Sequence, residues 1–208
     1  MNYTTYLFDF DYTLANSEKG ILICFRHVLE EGAIEGISDM QIKRTIGMTL
    51  ADAFRSFTGS RDEDYIERLR RSYVRYADVH MTKNTFFYDW TLPKLEQIKR
   101  SGGKTGIIST KYRYRIEELF NLYGSLQLVD IIIGMEDVKA AKPDPEGILL
   151  AVERLVTAKA ETLYVGDNII DAQAAQNANV DFAAVLTGTN TAEDFERYPC
   201  TGLFDTSV

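Results

Sequence analysis

The spacing of apolar residues changes twice along this chain, and that change constrains the fold more than any other feature. Residues 3–10 form a short apolar run that reads as a buried strand. From about Ser17 to Ala77 the spacing is helical. Ile21, Cys24, Phe25, Val28 and Leu29 share one helix face, and Ile66, Leu69, Tyr73 and Tyr76 share another. After about His80, strand and helix alternate. Strands are predicted over residues 105–109, 128–133, 162–165 and 182–186. Helices are predicted over 91–100, 113–123, 145–156 and 171–179. Continuous apolar strands separated by helices indicate a parallel sheet covered on both faces. The predicted fold class is therefore α/β, a doubly wound parallel sheet. Its core takes residues 1–15 and 81–208, and a helical domain over 16–80 is inserted after the first strand.

Charge belongs mainly to that core. The chain has 208 residues, with 23 Lys and Arg against 31 Asp and Glu, for a net charge of −8. The insert is nearly neutral, so the excess acid lies elsewhere. This balance disfavours nucleic acid and anionic membranes as partners. The two cysteines, Cys24 and Cys200, are expected as free thiols of a reducing compartment. No stretch approaches the length of a spanning helix, and no secretory signal opens the chain. A cytoplasmic protein is expected.

In an open parallel sheet, ligands bind beyond the carboxyl ends of the strands. The first strand ends in Asp9-Phe10-Asp11-Tyr12-Thr13-Leu14 and the next in Ser109-Thr110-Lys111. Lys142-Pro143 follows the third, and Gly166-Asp167-Asn168-Ile169-Ile170-Asp171 ends the fourth. Each end delivers carboxylates, a hydroxyl or an ammonium to one rim. Two carboxylates at D-x-D spacing can divide labour as nucleophile and general acid/base. Asp167 can join Asp9 on a hard cation, and an all-oxygen set with few carboxylates describes Mg²⁺. The Ser109 hydroxyl and the Lys142 ammonium suit phosphate oxygens.

On these residues the chain resembles the phosphatase branch of the haloacid dehalogenase superfamily, with phosphoglycolate-phosphatase-like members nearest. Asp9-Phe10-Asp11-Tyr12-Thr13-Leu14 looks like the first motif, and Ser109 like the second. Thr110 stands where relatives often carry Asn. Lys142-Pro143 looks like the third motif, and Gly166-Asp167 with Asp171 like the fourth. The resemblance implies a Rossmann-like core with a helical cap. It implies that Asp9 is the nucleophile forming an aspartyl-phosphate and that Asp11 is the acid/base. Ser109 and Lys142 would bind the transferring phosphoryl group. Mg²⁺ would be held by Asp9, Asp167 and the backbone carbonyl of Asp11, with Asp171 as a further or water-mediated partner. Thr13, Thr110, Lys111 and, in the cap, Gly47 join Ser109 and Lys142 as substrate-binding candidates. The presence of Asp11 disfavours carbon–halogen cleavage.

The reaction implied is hydrolysis of a small phosphorylated metabolite, by a monomer or homodimer. A phosphomutase of the same superfamily is the alternative. A receiver-type signalling module would need about 120 residues, an adjacent acidic pair after the first strand and the phosphorylated Asp on a later strand, where this chain has a D-x-D pair and a large helical insertion. A silent relative that only binds a phosphorylated ligand is opposed by the intact Asp9 and Asp11. Read singly, each motif has an ordinary explanation. Asp is common in turns, Ser and Asp cap helices, and a Lys-Pro pair is usual in exposed loops. The alternating run from Lys111 to Arg115 could stack on nucleic acid, but a solvated helix start is the simpler reading.

Overall fold

The computed structural model describes residues 3–207; residues 1, 2 and 208, the outermost of the expected core, lie outside them. Apolar, β-branched and aromatic runs form the strands. They are β1 (Thr5–Phe8), β2 (Ala15–Asn16), β3 (Phe86–Phe87), β4 (Lys104–Ile108), β5 (Ile131–Ile133), β6 (Thr162–Gly166) and β7 (Asp181–Ala184). The α-helices are α1 (Glu18–Glu31), α2 (Asp39–Lys43), α3 (Leu50–Thr58), α4 (Glu63–His80), α5 (Thr91–Arg100), α6 (Arg113–Leu122), α7 (Glu146–Arg154), α8 (Ile169–Ala178) and α9 (Ala192–Phe195). The chain divides into two compact units, one of Met1–Ala15 with Phe87–Val208 and the other of Asn16–Phe86.

The first unit holds a five-stranded parallel sheet in the order β5-β4-β1-β6-β7. Strand β1 is central, and the chain leaves it for β4 on one side and later fills β6 on the other. This is the doubly wound arrangement, with its switch point at β1. Alternation along each strand sends side chains to two separate cores. Phe8, Ile107, Leu163 and Val165 pack with Leu95 and Ile98 of α5 and with Ile116, Leu119 and Phe120 of α6. Leu7, Ile108, Tyr164 and Phe182 pack with Ile148 and Ala151 of α7 and Ala172 and Ala175 of α8. The small residues on α8 let that helix lie close to the sheet.

Register puts the functional rim together. Phe8 is paired with Ile107 on one side and Val165 on the other. Asp9, Ser109 and Asp167 therefore leave the sheet at one edge. Pairing runs one residue past the strands there, with Asp9 N donating to Val165 O at 2.9 Å and Ser109 N to Ile133 O at 3.0 Å.

Some boundaries differ from those predicted. Strand β1 stops at Phe8 rather than residue 10, because the Phe10 carbonyl accepts from the amides of Leu14 and Ala15, both at 3.0 Å, and the chain curls. The predicted strand over 128–133 keeps only Ile131–Ile133. Its start is a 3-10 turn, and the Leu128 carbonyl accepts from the Thr105 hydroxyl. Helix α8 starts at Ile169, two residues early, because Asn168 caps it. The return from the helical unit falls at 86/87, not at 80/81. A 3-10 turn over Thr82–Asn84 follows α4, and the Asn84 side-chain amide donates to the His80 carbonyl at 2.8 Å.

The helical unit has its own aromatic core. The Phe25 ring lies 4.7 Å from Tyr73 and 5.3 Å from Phe54. Cys24 and Ile42 of the same unit are fully buried. Ser38 and Thr49 cap α2 and α3 through their side chains.

Phe8 links the sheet to the C-terminal segment, since its fully buried ring meets Phe204 edge-on at 5.7 Å. Phe8→Ala is expected to lower unfolding free energy by about 3–5 kcal/mol in urea titration. A loss below about 1 kcal/mol would show that the core relaxes into the space.

Candidate active site

Four strand ends place their functional groups within one small volume of the sheet-bearing unit. Asp9, Asp167 and Asp171 each offer a carboxylate oxygen, and these atoms lie within 4.8 Å of one another. All three residues are buried. The Lys142 ammonium reaches into the group, 2.7 Å from Asp9 Oδ1 and 2.6 Å from Asp171 Oδ1. The peptide joining Lys142 to Pro143 is cis.

Local sequence explains each placement. Asp9 is the first residue beyond β1. Asp167 follows Gly166 at the end of β6, just before α8. The Asn168 side chain accepts from Ile170 N, and Asp171 Oδ2 accepts from Asn168 N at 3.1 Å, forming a capping box. Asp171 thus caps its own helix while its other oxygen faces Lys142. Two glycines make room for these carboxylates. A Cβ on Gly188 would fall on the Asp167 carboxylate, and one on Gly166 would come within 2.5 Å of Asp171. Tyr12 takes the left-handed region at φ 61°, unusual for a bulky residue. Its carbonyl accepts from the Thr187 hydroxyl.

Burial dominates the electrostatics. It pushes the Asp9 carboxyl up to about 7; Lys142 opposes the rise and Asp171 adds to it. Burial, with Asp171 and Asp9, likewise raises Asp167 well above the usual carboxylate range. For Lys142, burial works against the charge, but Asp171 and Asp9 outweigh it and hold the ammonium well above its ordinary value. Burial also keeps the Tyr164 phenol protonated far beyond neutral pH.

The substrate-binding candidates take different places. Ser109, Thr110 and Lys142 line one cleft with Ile133, Gly134 and Ala141. Ser109 is buried, and its hydroxyl accepts from Lys111 N at 3.2 Å. Lys111 Nζ lies 3.2 Å from Asp11 Oδ2, with both side chains nearly buried. Lys111 therefore faces the expected acid/base carboxylate. Thr13 is fully buried and donates to Asp167 Oδ1 at 3.0 Å, so its hydroxyl orients a carboxylate of the cluster. The Asp11 carboxylate stands outside the three-carboxylate group. Gly47 belongs to the helical unit, where it takes a left-handed turn (φ 98°) between α2 and α3. The basic and aromatic run after Lys111 is committed within the chain. Arg113 pairs with Asp137, and Arg115 pairs with Glu118 and lies over the Tyr114 ring.

One residue of the cluster was not among the candidates. Tyr164 donates toward Asp171 Oδ1 at 3.0 Å and accepts from Lys142 Nζ at 3.1 Å. In sequence it is one apolar-looking residue of a buried strand. Its only signal is a phenol in an otherwise aliphatic run, three positions before Asp167.

These donors fit a divalent cation. Asp9, Asp11, Asp167 and Asp171 carry four negative charges when ionised, against two positive charges on Lys111 and Lys142. A divalent cation balances the remainder. The donors are all hard oxygens, which favours Mg²⁺ over softer metals. Two carboxyls that resist ionising when buried together are groups a cation would stabilise.

Comparison with known proteins agrees with this geometry. Residues 6–185 match the haloacid dehalogenase-like hydrolase family. Pyrophosphatase PpaX of Bacillus cereus (strain B4264) is 32% identical over 185 residues, covering 89% of this chain and 84% of that protein. A Bacteroides fragilis crystal structure assigned as a haloacid dehalogenase-like hydrolase superposes with a TM-score of 0.95 at 48% identity, covering 97% of this chain and 96% of that one. A Lactobacillus plantarum structure assigned as a phosphoglycolate phosphatase superposes with a TM-score of 0.86 at 26% identity, covering 98% and 95%.

The raised Asp9 value has a stability consequence in the metal-free protein. Its folded pKa, about 7, lies above the ordinary value of 3.8. Between these values the folded state binds more protons than the unfolded state, so this group's contribution falls as pH rises. With chelator present, the Asp9→Asn melting temperature should gain on wild type from pH of about 4 to about 7 and then level off. A gap independent of pH would contradict the burial argument.

Proposed function

Because this chain belongs to the haloacid dehalogenase-like hydrolase family, we propose that it is a Mg²⁺-dependent phosphatase of a small phosphorylated metabolite. The observation that carries this reading is the placement of Lys142 2.7 Å from Asp9 beside the Asp9, Asp167 and Asp171 group. On this reading a nucleophilic carboxylate, a phosphate-binding ammonium and a cation-holding oxygen set meet at one edge of the sheet. The relatives' names supply two candidate substrates, pyrophosphate and phosphoglycolate.

Asp9 attacks phosphorus, forming an aspartyl-phosphate and releasing the leaving oxygen. Asp11 gives its proton to that oxygen. Asp11 then takes a proton from the water that attacks the phosphorus of the intermediate, and the Asp9 carboxylate is restored. Ser109 and Lys142 hold the equatorial phosphoryl oxygens through both halves. Mg²⁺ would be held by Asp9 and Asp167, with Asp171 and the Asp11 backbone carbonyl as further partners, and supplies positive charge where negative charge builds up. Asp171 already serves Lys142, Tyr164 and the Asn168 amide, which favours a water-mediated role for it. Thr13 keeps Asp167 oriented. Lys111, 3.2 Å from Asp11, stabilises the Asp11 carboxylate left once its proton has gone to the leaving oxygen. Most of the rate advantage on this reading comes from positioning and charge, as phosphoryl transfer requires little else.

A phosphate-release screen tests the proposal. It uses pyrophosphate, phosphoglycolate, sugar phosphates and nucleoside monophosphates, each with and without Mg²⁺. Metal-dependent release from at least one compound is expected, with a loss on the order of 10⁴-fold in Asp9→Asn. Undiminished release by that variant, or no release from any compound, would overturn the mechanism.

A further inference from the structure

The Lys142 ammonium has three donor positions and three partners. Asp9 Oδ1 lies at 2.7 Å, Asp171 Oδ1 at 2.6 Å and the Tyr164 hydroxyl at 3.1 Å. The first two are carboxylates that any model of this site would require. Tyr164 is neutral, fully buried and outside the recognised motifs. Its hydroxyl also lies 3.0 Å from Asp171 Oδ1 and 3.3 Å from the Ile108 carbonyl, next to Ser109 in the chain. One oxygen therefore touches the Lys142 loop, the start of α8 and the end of β4. Its ring centroid lies 5.8 Å from the ammonium, and the ring packs on Phe182 at 6.3 Å.

We propose that Tyr164 is a positioning residue that aims the Lys142 ammonium at the transferring phosphoryl group. The proposal rests on the phosphate-binding role given to Lys142 above. A lysine stem has several rotatable bonds and fixes its head poorly by itself. When a phosphoryl oxygen arrives, it must take over one of the three donors. The donor facing Asp9 is the one beside the reacting atoms. Tyr164 and Asp171 hold the other two, so the ammonium can exchange that contact without shifting its position. The Tyr164 contact with Ile108 ties this arrangement to the strand that delivers Ser109, and both phosphate ligands keep one spacing. A hydroxyl is suited to this task. A third carboxylate would draw the ammonium away from the phosphate, and an apolar side chain would let it swing.

Tyr164→Phe keeps the ring and its packing and removes only the hydroxyl. Four quantities are compared with wild type. They are the affinity of inorganic phosphate for the Mg²⁺-loaded protein by calorimetry, kcat/KM on the best compound of the screen, Mg²⁺ affinity, and the melting temperature. Phosphate affinity and kcat/KM are each expected to fall about tenfold, while Mg²⁺ affinity and melting temperature stay near wild type. A purely structural tyrosine would move the last two together with the first two, and that result overturns the proposal. So does unchanged phosphate affinity.

A further readout needs neither substrate nor metal. Hydrogen exchange of the Lys142 ammonium, followed by ¹⁵N NMR in ligand-free protein, should be at least about tenfold faster in the variant. Equal exchange would show that Tyr164 does not hold the ammonium. If wild type neither binds phosphate nor hydrolyses any compound, the proposed function fails, and the exchange comparison still decides whether Tyr164 fixes Lys142.

Discussion

Lys142 carries a positive charge into a space where its side chain is only 5% exposed, and it is stable there because Asp9 and Asp171 meet it on two sides. Taking any one of these charges out of water unpaired would cost several kcal/mol. Leaving one partner missing from such a pair typically costs about 3–5 kcal/mol. The ion group therefore fixes where three separate segments must stand. The end of β1, the loop carrying Lys142 and the start of α8 cannot drift apart without exposing a buried charge to an apolar core. Tyr164 and Thr13 complete the arrangement with neutral hydrogen bonds. Every buried side-chain polar atom among the described residues has a partner.

The rest of the sheet-bearing unit serves that convergence. Parallel strands in register end at one edge, and the order β5-β4-β1-β6-β7 puts the strand that ends at Asp9 in the centre. Close approach then becomes the limiting demand. Gly166 and Gly188 sit where a methyl group would occupy carboxylate space. The alanines of α8 bring Asp171 close to the sheet for the same reason. Among the described residues no helix is long and apolar enough to cross a membrane.

Much of this could be read in the residues themselves. The change of apolar period marked the sheet and the helical stretch, and the charged residues after each strand marked the rim. Asp9, Asp167, Asp171 and Lys142 meet because register follows from pairing, which strand ends reveal. What periodicity could not show was how hydrogen bonds are shared out. Spacing gave no sign that the Thr13 hydroxyl donates to Asp167. Nor did it show the Lys111 ammonium beside Asp11. Tyr164 was hidden because a strand of apolar residues gives no sign of which face carries a polar tip. The middle of β1 was legible and its limits were not: it runs Thr5–Phe8 rather than 3–10, and the turn that follows depends on the Phe10 carbonyl accepting several amides.

The central claim is that Asp9 forms the covalent intermediate. Rapid acid quench of the protein during turnover, followed by borohydride reduction, converts an aspartyl-phosphate to homoserine, and peptide mass spectrometry locates it. The account predicts homoserine at position 9 in wild type and at no other aspartate. Homoserine at position 11, 167 or 171, or full turnover with position 9 unmodified at every quench time, would contradict it.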